Sequence, residues 1–411
     1  MKIILSGGGT GGHIYPAVAV AEELRRQLGE GVEVLFVGAE GKMEMEKIPA
    51  LGYNIKGLPV AGLQRKFDLA NLALPFKVAR SLRLARRIIR EFGADVVVGF
   101  GGYASAPVLK AAQRMGIPTI IQEQNSYAGL TNKLLARRAR AICVAYSGME
   151  RFFPADKIVV TGNPLRGNFT TVPATPAFRA EALAYFGFTP ERPVLMVVGG
   201  SLGSRTFNNM MKRWVERIVE QGAVQVIWQT GKYYEAEIDA FMEGKPSDGV
   251  WRGAFIERMD YAYSAADLVI SRSGAITVSE LCLLGKAVMF VPSPNVAEDH
   301  QTQNAMALVA KGAAEICPDS EAEERAIPTA LDLVRDKAHL ATLSANIRAL
   351  GIPDSAERIV KEIIMNYEPS AESASSPTER RPSAVGRLRR FAREVIIMRG
   401  LPRSHSERSA G

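Results

Sequence analysis

Cysteine is scarce in this chain of 411 residues: Cys143, Cys282 and Cys317 lie far apart and form no C-x-x-C pair. An odd, scattered set supports neither a disulfide framework nor a cysteine zinc site, and it fits a reducing compartment. No D-x-D occurs, and His13, His300, His339 and His405 show no metal-ligand spacing. No metal and no other cofactor is therefore expected. Long apolar runs are missing too. Met1-Lys2-Ile3-Ile4-Leu5-Ser6 passes straight into glycines, too short for a signal peptide, and nowhere do ~20 apolar residues follow one another. The expectation is a cytosolic protein whose membrane contact, where it has one, is peripheral. Acidic residues run short only at the end, where residues 379–411 carry nine Arg against Glu379, Glu394 and Glu407. That stretch accounts for most of the formal net charge of +8, so the body is nearly neutral.

What is present is ordinary soluble composition, 47% apolar and 23% charged, and a length suited to two domains of about 150 residues plus an appendage. Short β-branched or apolar runs over 3–6, 32–38, 95–99, 118–122, 141–145 and 157–161 alternate with helical patterns. After Gly162-Asn163-Pro164 and the linker Val172-Pro173-Ala174-Thr175-Pro176, a second series follows over 194–198, 224–229, 268–271 and 287–291. Alternating β and α units predict an α/β fold with parallel sheets covered by helices on both faces, and the linker predicts two doubly wound domains. A helix over about 354–365 carries Ala356, Ile359, Val360 and Ile363 at helical spacing. Glu368 to Pro382, rich in Ser, Pro and charge, reads as a disordered linker. The expected divisions are 1–163, 164–345, a segment 346–367 packing back across the domains, and a basic tail 368–411.

Three strand ends run into glycine. Gly7-Gly8-Gly9-Thr10-Gly11-Gly12-His13 precedes a helix with Pro16 in its first turn, Gly99-Phe100-Gly101-Gly102-Tyr103 repeats the event, and Gly199-Gly200-Ser201-Leu202-Gly203-Ser204-Arg205 places it in the second domain. Glycine lets backbone approach a ligand, and helix N-termini attract phosphate. Gly7, Gly9 and Gly12 also satisfy G-x-G-x-x-G, with Glu40 where a dinucleotide fold puts its ribose-binding acid. A Walker loop is excluded, because His13-Ile14 stands where Lys-Ser/Thr is needed. Tight turning alone is the bland alternative. One dehydrogenase cofactor needs one such loop, whereas loops on two sheets suggest a cleft between two phosphate-bearing ligands. In Ser271-Arg272-Ser273-Gly274-Ala275-Ile276-Thr277-Val278-Ser279-Glu280 the acid can accept both hydroxyls of a ribose while the helix amides face its diphosphate. The same pattern also serves as a plain helix cap. Glu298-Asp299-His300-Gln301-Thr302-Gln303-Asn304 suits sugar hydroxyls or a solvated loop.

These motifs, with Gln122-Glu123-Gln124-Asn125 and Gly162-Asn163-Pro164-Leu165-Arg166, resemble the family 28 glycosyltransferases of bacterial peptidoglycan synthesis over residues 1 to about 366. That family adds N-acetylglucosamine to undecaprenyl-pyrophosphoryl-N-acetylmuramoyl-pentapeptide. The resemblance implies the GT-B fold, two Rossmann-like domains facing a central cleft, with UDP-N-acetylglucosamine held mainly by the second. It puts Thr10, Gly11, Gly12, Asn125, Arg166, Ser201, Ile256, Ala275, Ile276, Thr277, Val278, Ser279, Glu280 and Gln301 at the donor. Ile256 matches the position whose backbone meets uracil, and Glu280 the ribose-binding acid. The second glutamine common in the family beside this one is not evident, since His300 and Thr302 flank Gln301. The tail after Tyr367 lies outside the family pattern.

An inverting transfer needs a base for the acceptor hydroxyl and a stabiliser for departing UDP. His13, at the tip of the first loop beside a positive helix end, is the candidate base, with Glu123 in reserve. A histidine that only hydrogen-bonds a loop or an acceptor phosphate is the other reading. Leu72, Leu74, Phe76, Lys77 and Arg80 form an apolar group edged by cations, suited to an anionic membrane surface, and the family's membrane patch agrees. An amphipathic helix packed on the sheet is the alternative, favoured for Leu82, Ile88 and Ile89. The expected partners are UDP-N-acetylglucosamine, the undecaprenyl-linked muramoyl-pentapeptide, an anionic membrane surface and other cell-wall synthesis proteins, with no nucleic acid. The expected location is the cytoplasmic face of the plasma (inner) membrane. A nicotinamide, NAD(P)-dependent dehydrogenase and a non-catalytic nucleotide-sugar binding protein are the competing functions.

Overall fold

The computed structural model describes residues 1–60, 74–165, 172–200 and 202–367. Among them the strands form two sheets. The first contains β1 (Lys2–Ser6), β2 (Glu33–Ala39), β3 (Asn54–Leu58), β4 (Val96–Gly99), β5 (Thr119–Glu123), β6 (Ala141–Val144) and β7 (Ile158–Val160), in the order β3-β2-β1-β4-β5-β6-β7. The second contains β8 (Val194–Val198), β9 (Gln225–Gln229), β10 (Val250–Gly253), β11 (Leu268–Ser271), β12 (Val288–Phe290) and β13 (Glu315–Ile316), in the order β10-β9-β8-β11-β12-β13. Neighbouring strands pair parallel throughout. In each sheet the chain runs outward to one edge, returns, and continues to the other side. The order therefore reverses between β1 and β4 and between β8 and β11, and ligands of open parallel sheets lie beyond the strand ends at such points.

Helices cover both faces of each sheet. In chain order they are α1 (Gly11–Leu28), α2 (Glu44–Ala50), α3 (Leu74–Phe92), α4 (Gly102–Arg114), α5 (Leu130–Ala136), α6 (Pro176–Phe186), α7 (Arg205–Gln221), α8 (Glu235–Met242), α9 (Met259–Ala265), α10 (Ala275–Leu284), α11 (His300–Val309), α12 (Ala322–Arg335), α13 (Lys337–Arg348) and α14 (Ser355–Met365). Central strands are apolar on both sides because both sides are covered: Ile3, Ile4, Leu5, Val96, Val97 and Val98 are fully buried. α14 leaves the second domain and packs in the first, where Ile359, Val360, Ile363 and Ile364 join Val18, Leu24 and Phe36. At ~1.5–3 kcal/mol per buried large aliphatic side chain, this helix fastens the chain that leaves the second domain to the first.

Ten strands lie where the apolar runs predict them. The three that the sequence leaves unmarked, β3, β10 and β13, are edge strands. An edge strand has one neighbour and less burial, so Asn54-Ile55-Lys56-Gly57-Leu58 needs no apolar run.

Candidate active site at the two strand-order reversals

The glycine loops of the first domain sit at its reversal point. Residues 7–10 join β1 to α1, and Phe100-Gly101 joins β4 to α4. A side chain at Gly102, whose φ is +78°, would collide with the Gly8 carbonyl, so the two loops interlock only with glycine there. His13 lies in the first turn of α1. Its Nδ1 is 3.0 Å from the Gly8 carbonyl oxygen and 3.2 Å from Thr10 Oγ1. A carbonyl only accepts, so Nδ1 carries the proton and Nε2 keeps its lone pair. Nε2 lies beside Gly101, where a Cβ would come within 3.1 Å of it. Burial lowers the His13 pKa. The Gly8 carbonyl opposes that shift, the charge of His300 adds to it, and Glu44 opposes it.

Glu44, which nothing in the sequence marks, supports this loop. Its Oε2 accepts from the Gly9 amide at 3.0 Å and its Oε1 from the Ala39 amide at 3.0 Å. One amide of the expected phosphate cradle is thus already bound to a carboxylate. Glu40, the acid a dinucleotide would use, is exposed.

The second domain presents a different surface. α10 begins after Gly274, and no side chain caps it. Ala275, Ile276 and Thr277 are half-buried, while Val278 and Ile256 point into the core, leaving only their backbones for a ligand. One turn further on, Glu280 Oε2 accepts from Tyr263 Oη at 3.1 Å. Tyr263 is buried, and burial together with the Glu280 charge pushes its hydroxyl far above the usual range, so it stays a donor. Gln301 begins α11 beside His300. Its Oε1 accepts from the Ser293 amide at 2.8 Å and its carbonyl from Ser273 Oγ at 2.8 Å. Just before it, Glu298 and Asp299 hold φ of 55° and 50°, a left-handed geometry uncommon outside glycine and frequent at functional loops. Arg272 faces away from this surface: it donates to Ser204 Oγ at 2.8 Å, the Val291 carbonyl at 2.9 Å and Asp319 Oδ1 at 2.5 Å. It ties three loops together.

Amide side chains join the two halves. Asn304, fully buried, accepts from the Ser126 amide (2.9 Å) and Ser126 Oγ (3.1 Å), and it donates to Asn125 Oδ1 (3.1 Å) and the Ser273 carbonyl (3.2 Å). Asn163 accepts from Gln122 (2.9 Å) and donates to the Gln124 carbonyl and to Ser279 Oγ, both at 3.0 Å. Glu123 lies beneath. Its oxygens accept from the Asn125 and Gly129 amides at 3.1 and 2.9 Å and from Asn132 Nδ2 at 2.8 Å. Burial raises its pKa despite these bonds.

The fold therefore brings Thr10, Gly11, Gly12, His13 and Asn125 to one side of the cleft and Ala275–Thr277, Ser279, Glu280 and Gln301 to the other. Arg166, Ser201 and Leu72 lie outside the described residues, as does the tail after Tyr367. Of Leu74, Phe76 and Lys77 only the backbone, in α3, is described. Arg80 is exposed on α3, while Ile88 and Ile89 pack into the core. Among the described residues no group of three His, Cys, Asp or Glu is placed to hold a metal ion. Glu44, Tyr263 and the bridging role of Asn304 escape sequence reasoning, because each acts through a partner 17 to 178 positions away.

Comparison with known proteins gives the family and the fold. The Glycosyltransferase family 28 N-terminal domain matches residues 3–144, and the Glycosyltransferase family 28 C-terminal domain matches residues 194–359. A Parabacteroides distasonis protein named UDP-N-acetylglucosamine--N-acetylmuramyl-(pentapeptide) pyrophosphoryl-undecaprenol N-acetylglucosamine transferase is 55% identical, over 88% of this chain and 97% of its own length. A Bacteroides fragilis protein of the same name is 52% identical over 89% and 95%. The crystal structure of Acinetobacter baumannii MurG superposes with a TM-score of 0.72 at 30% identity, covering 88% of this chain and 99% of that one. A Neisseria meningitidis UDP-GlcNAc 2-epimerase bound to UDP-GlcNAc, at TM-score 0.61 and 14% identity over 89% of this chain and 100% of its own, shares the fold alone.

Proposed function

The chain belongs to glycosyltransferase family 28, and from that premise we propose that it transfers N-acetylglucosamine from UDP-N-acetylglucosamine to the C4 hydroxyl of the muramoyl sugar in undecaprenyl-pyrophosphoryl-N-acetylmuramoyl-pentapeptide, inverting the anomeric carbon. The observation that carries this reading is the Parabacteroides relative of that name, which matches across 97% of its length at 55% identity. The division of groups across the cleft supports it.

As the acceptor oxygen bonds to the sugar's anomeric carbon, the bond from that carbon to UDP breaks and the hydroxyl proton passes to His13 Nε2. A lowered pKa keeps that nitrogen free at neutral pH. The departing diphosphate gains its charge in front of the uncapped amides of Ala275, Ile276 and Thr277, where a helix N-terminus is worth most. Arg166 and Ser201 are assigned to the same group. Glu280, steadied by Tyr263, takes the ribose hydroxyls, the Ile256 backbone takes uracil, and Gln301 a sugar hydroxyl. Thr10, Gly11, Gly12 and Asn125 close the N-domain side. Glu123 is then a positioning residue for Asn125: its oxygens are committed to holding that loop.

The substrate of this proposal is lipid-linked, and the proposed location is the cytoplasmic face of the inner membrane. Among the described residues no helix is long and apolar enough to cross a membrane, and the proposed contact is peripheral. The start of α3 is its candidate surface: Val78 is exposed beside Arg80, Arg83, Arg86 and Arg87. Transfer from UDP-N-acetylglucosamine to a soluble lipid-acceptor analogue tests the reading. Absence of transfer by folded protein, or saturable NAD(P) binding, would count against it.

A further inference from the structure

Beside the interlocked glycine loops of the first domain lies an amide whose two ends are treated differently. Gln124 directly follows β5, and all but 2% of its surface is buried. Its Nε2 donates to the Phe100 carbonyl at 2.8 Å and to Gln122 Oε1, and it reaches the Gln122 carbonyl at 3.4 Å. Carbonyls only accept, so the nitrogen faces them and the oxygen faces the other way. Gln122 is fixed in turn, because its own Nε2 donates to Asn163 Oδ1 at 2.9 Å. Gln124 Oε1 accepts from no described residue, and unlike Asn132 Oδ1 it is not sealed from solvent. A Cβ at Gly101 would lie 3.1 Å from His13 Nε2 and 3.8 Å from Gln124 Oε1. Glycine keeps that space open, and both atoms border it. With the His13 proton on Nδ1, facing the Gly8 carbonyl, Nε2 and Oε1 each offer a lone pair and neither offers a hydrogen. Water can serve both while the cleft is empty, and a substrate that displaces it must bring two donors.

We propose that Gln124 reads the acceptor sugar: its Oε1 accepts from the C6 hydroxyl while the C4 hydroxyl donates to His13 Nε2. This role rests on the transferase reading. A muramoyl sugar joined to diphosphate at C1, with an acetamide at C2 and a lactyl ether at C3, keeps free hydroxyls only on C4 and C6. Those two are neighbours at one end of the ring, and the acetamide N–H is at the other. Gln124 takes no proton. The C4 proton passes to Nε2 as its oxygen bonds to the anomeric carbon, and the C6 contact fixes the rotation of the sugar that aims this hydroxyl. Because backbone carbonyls lock the nitrogen end, the oxygen is in place before the substrate arrives.

Steady-state transfer by the full chain to a soluble muramoyl diphosphate acceptor and to its 6-deoxy form tests this role. Wild type should use the 6-deoxy acceptor roughly tenfold less well in kcat/KM, as for one lost hydrogen bond. Gln124→Met keeps the length of the side chain and removes its oxygen. It should lower kcat/KM on the complete acceptor by about the same factor, use the two acceptors alike and keep the donor KM. A side chain that only supports the loop would lower both rates together and leave the tenfold preference in place, and that result would overturn the role. Equal use of the two acceptors by wild type would overturn it as well, whether or not the variant folds. Both outcomes leave the transferase reading standing. A folded wild type that transfers to neither acceptor would remove that reading, and the role of Gln124 with it.

Discussion

At the reversal point of the first sheet an anion is built in; at that of the second sheet it is not. Both places have a strand running through glycine into a helix. In the first, the Gly9 amide is bound by Glu44, which also holds the end of β2 through Ala39. In the second, α10 opens behind Gly274, like α1 with no side-chain cap, so the difference lies in Glu44 and not in the capping. An internal carboxylate beside a helix end satisfies backbone donors and discourages a second anion there, whereas a helix end without such a neighbour invites one. The first site thus holds a neutral imidazole, and the second is electropositive where a leaving group needs it. Chemistry split in this way depends on the angle between the halves, which Asn163 and Asn304 bridge.

The comparison breaks most visibly at His13. Replacing it with Ala should lower turnover by about 10²–10⁴-fold while leaving donor affinity nearly intact, as steady-state kinetics beside equilibrium titration would show. Near wild-type turnover would assign the proton to another group. On the opposite side, Glu280→Ala should weaken UDP-sugar binding by ~1.5–3 kcal/mol through loss of charge-assisted bonds to ribose. An unchanged donor affinity would contradict that role. Asn304→Ala tests the bridge. It leaves the Ser126 amide and hydroxyl unpaired at a buried junction, so denaturation should begin at lower urea by the equivalent of ~1–3 kcal/mol. Replacing Phe76 and Lys77 with Ser and Glu should reduce binding to anionic vesicles by about 1 kcal/mol or more for the lost cation, with soluble-acceptor activity kept. The smallest effect is electrostatic. Burial and His300 disfavour protonated His13, so the acid limb of turnover should lie below the ordinary histidine value of ~6.5. Glu44 opposes that shift, so Glu44→Gln should move the limb further toward acid. Movement toward neutral pH would show that Glu44 acts otherwise.

Strands with a neighbour on each side are buried on both faces and must be apolar, which is why those nine were legible; the edge β7 was legible because Ile158-Val159-Val160 is apolar although only part-buried, whereas the edges β3, β10 and β13 carry no such run. The glycine loops were legible as turns with a use, since few other residues allow backbones to interlock as at Gly8 and Gly102. What they hold was not legible. Glu44 arrives from α2, 35 positions after the amide it binds, and pattern alone pointed to Glu40. Asn304 reads as one polar residue in a polar loop, and its meaning lies in Ser126, 178 positions earlier. Glu123 is the reserve base on sequence, and what the sequence does not show is that its oxygens accept from the Asn125 and Gly129 amides and from Asn132 Nδ2.

The most direct measurement is a crystal structure of the full chain with UDP-N-acetylglucosamine. The account predicts diphosphate oxygens within hydrogen-bond reach of the amides of Ala275, Ile276 and Thr277, with the Gly9 amide still bound to Glu44. A diphosphate seated on the Gly7–Gly12 loop, with Glu44 displaced, would contradict it.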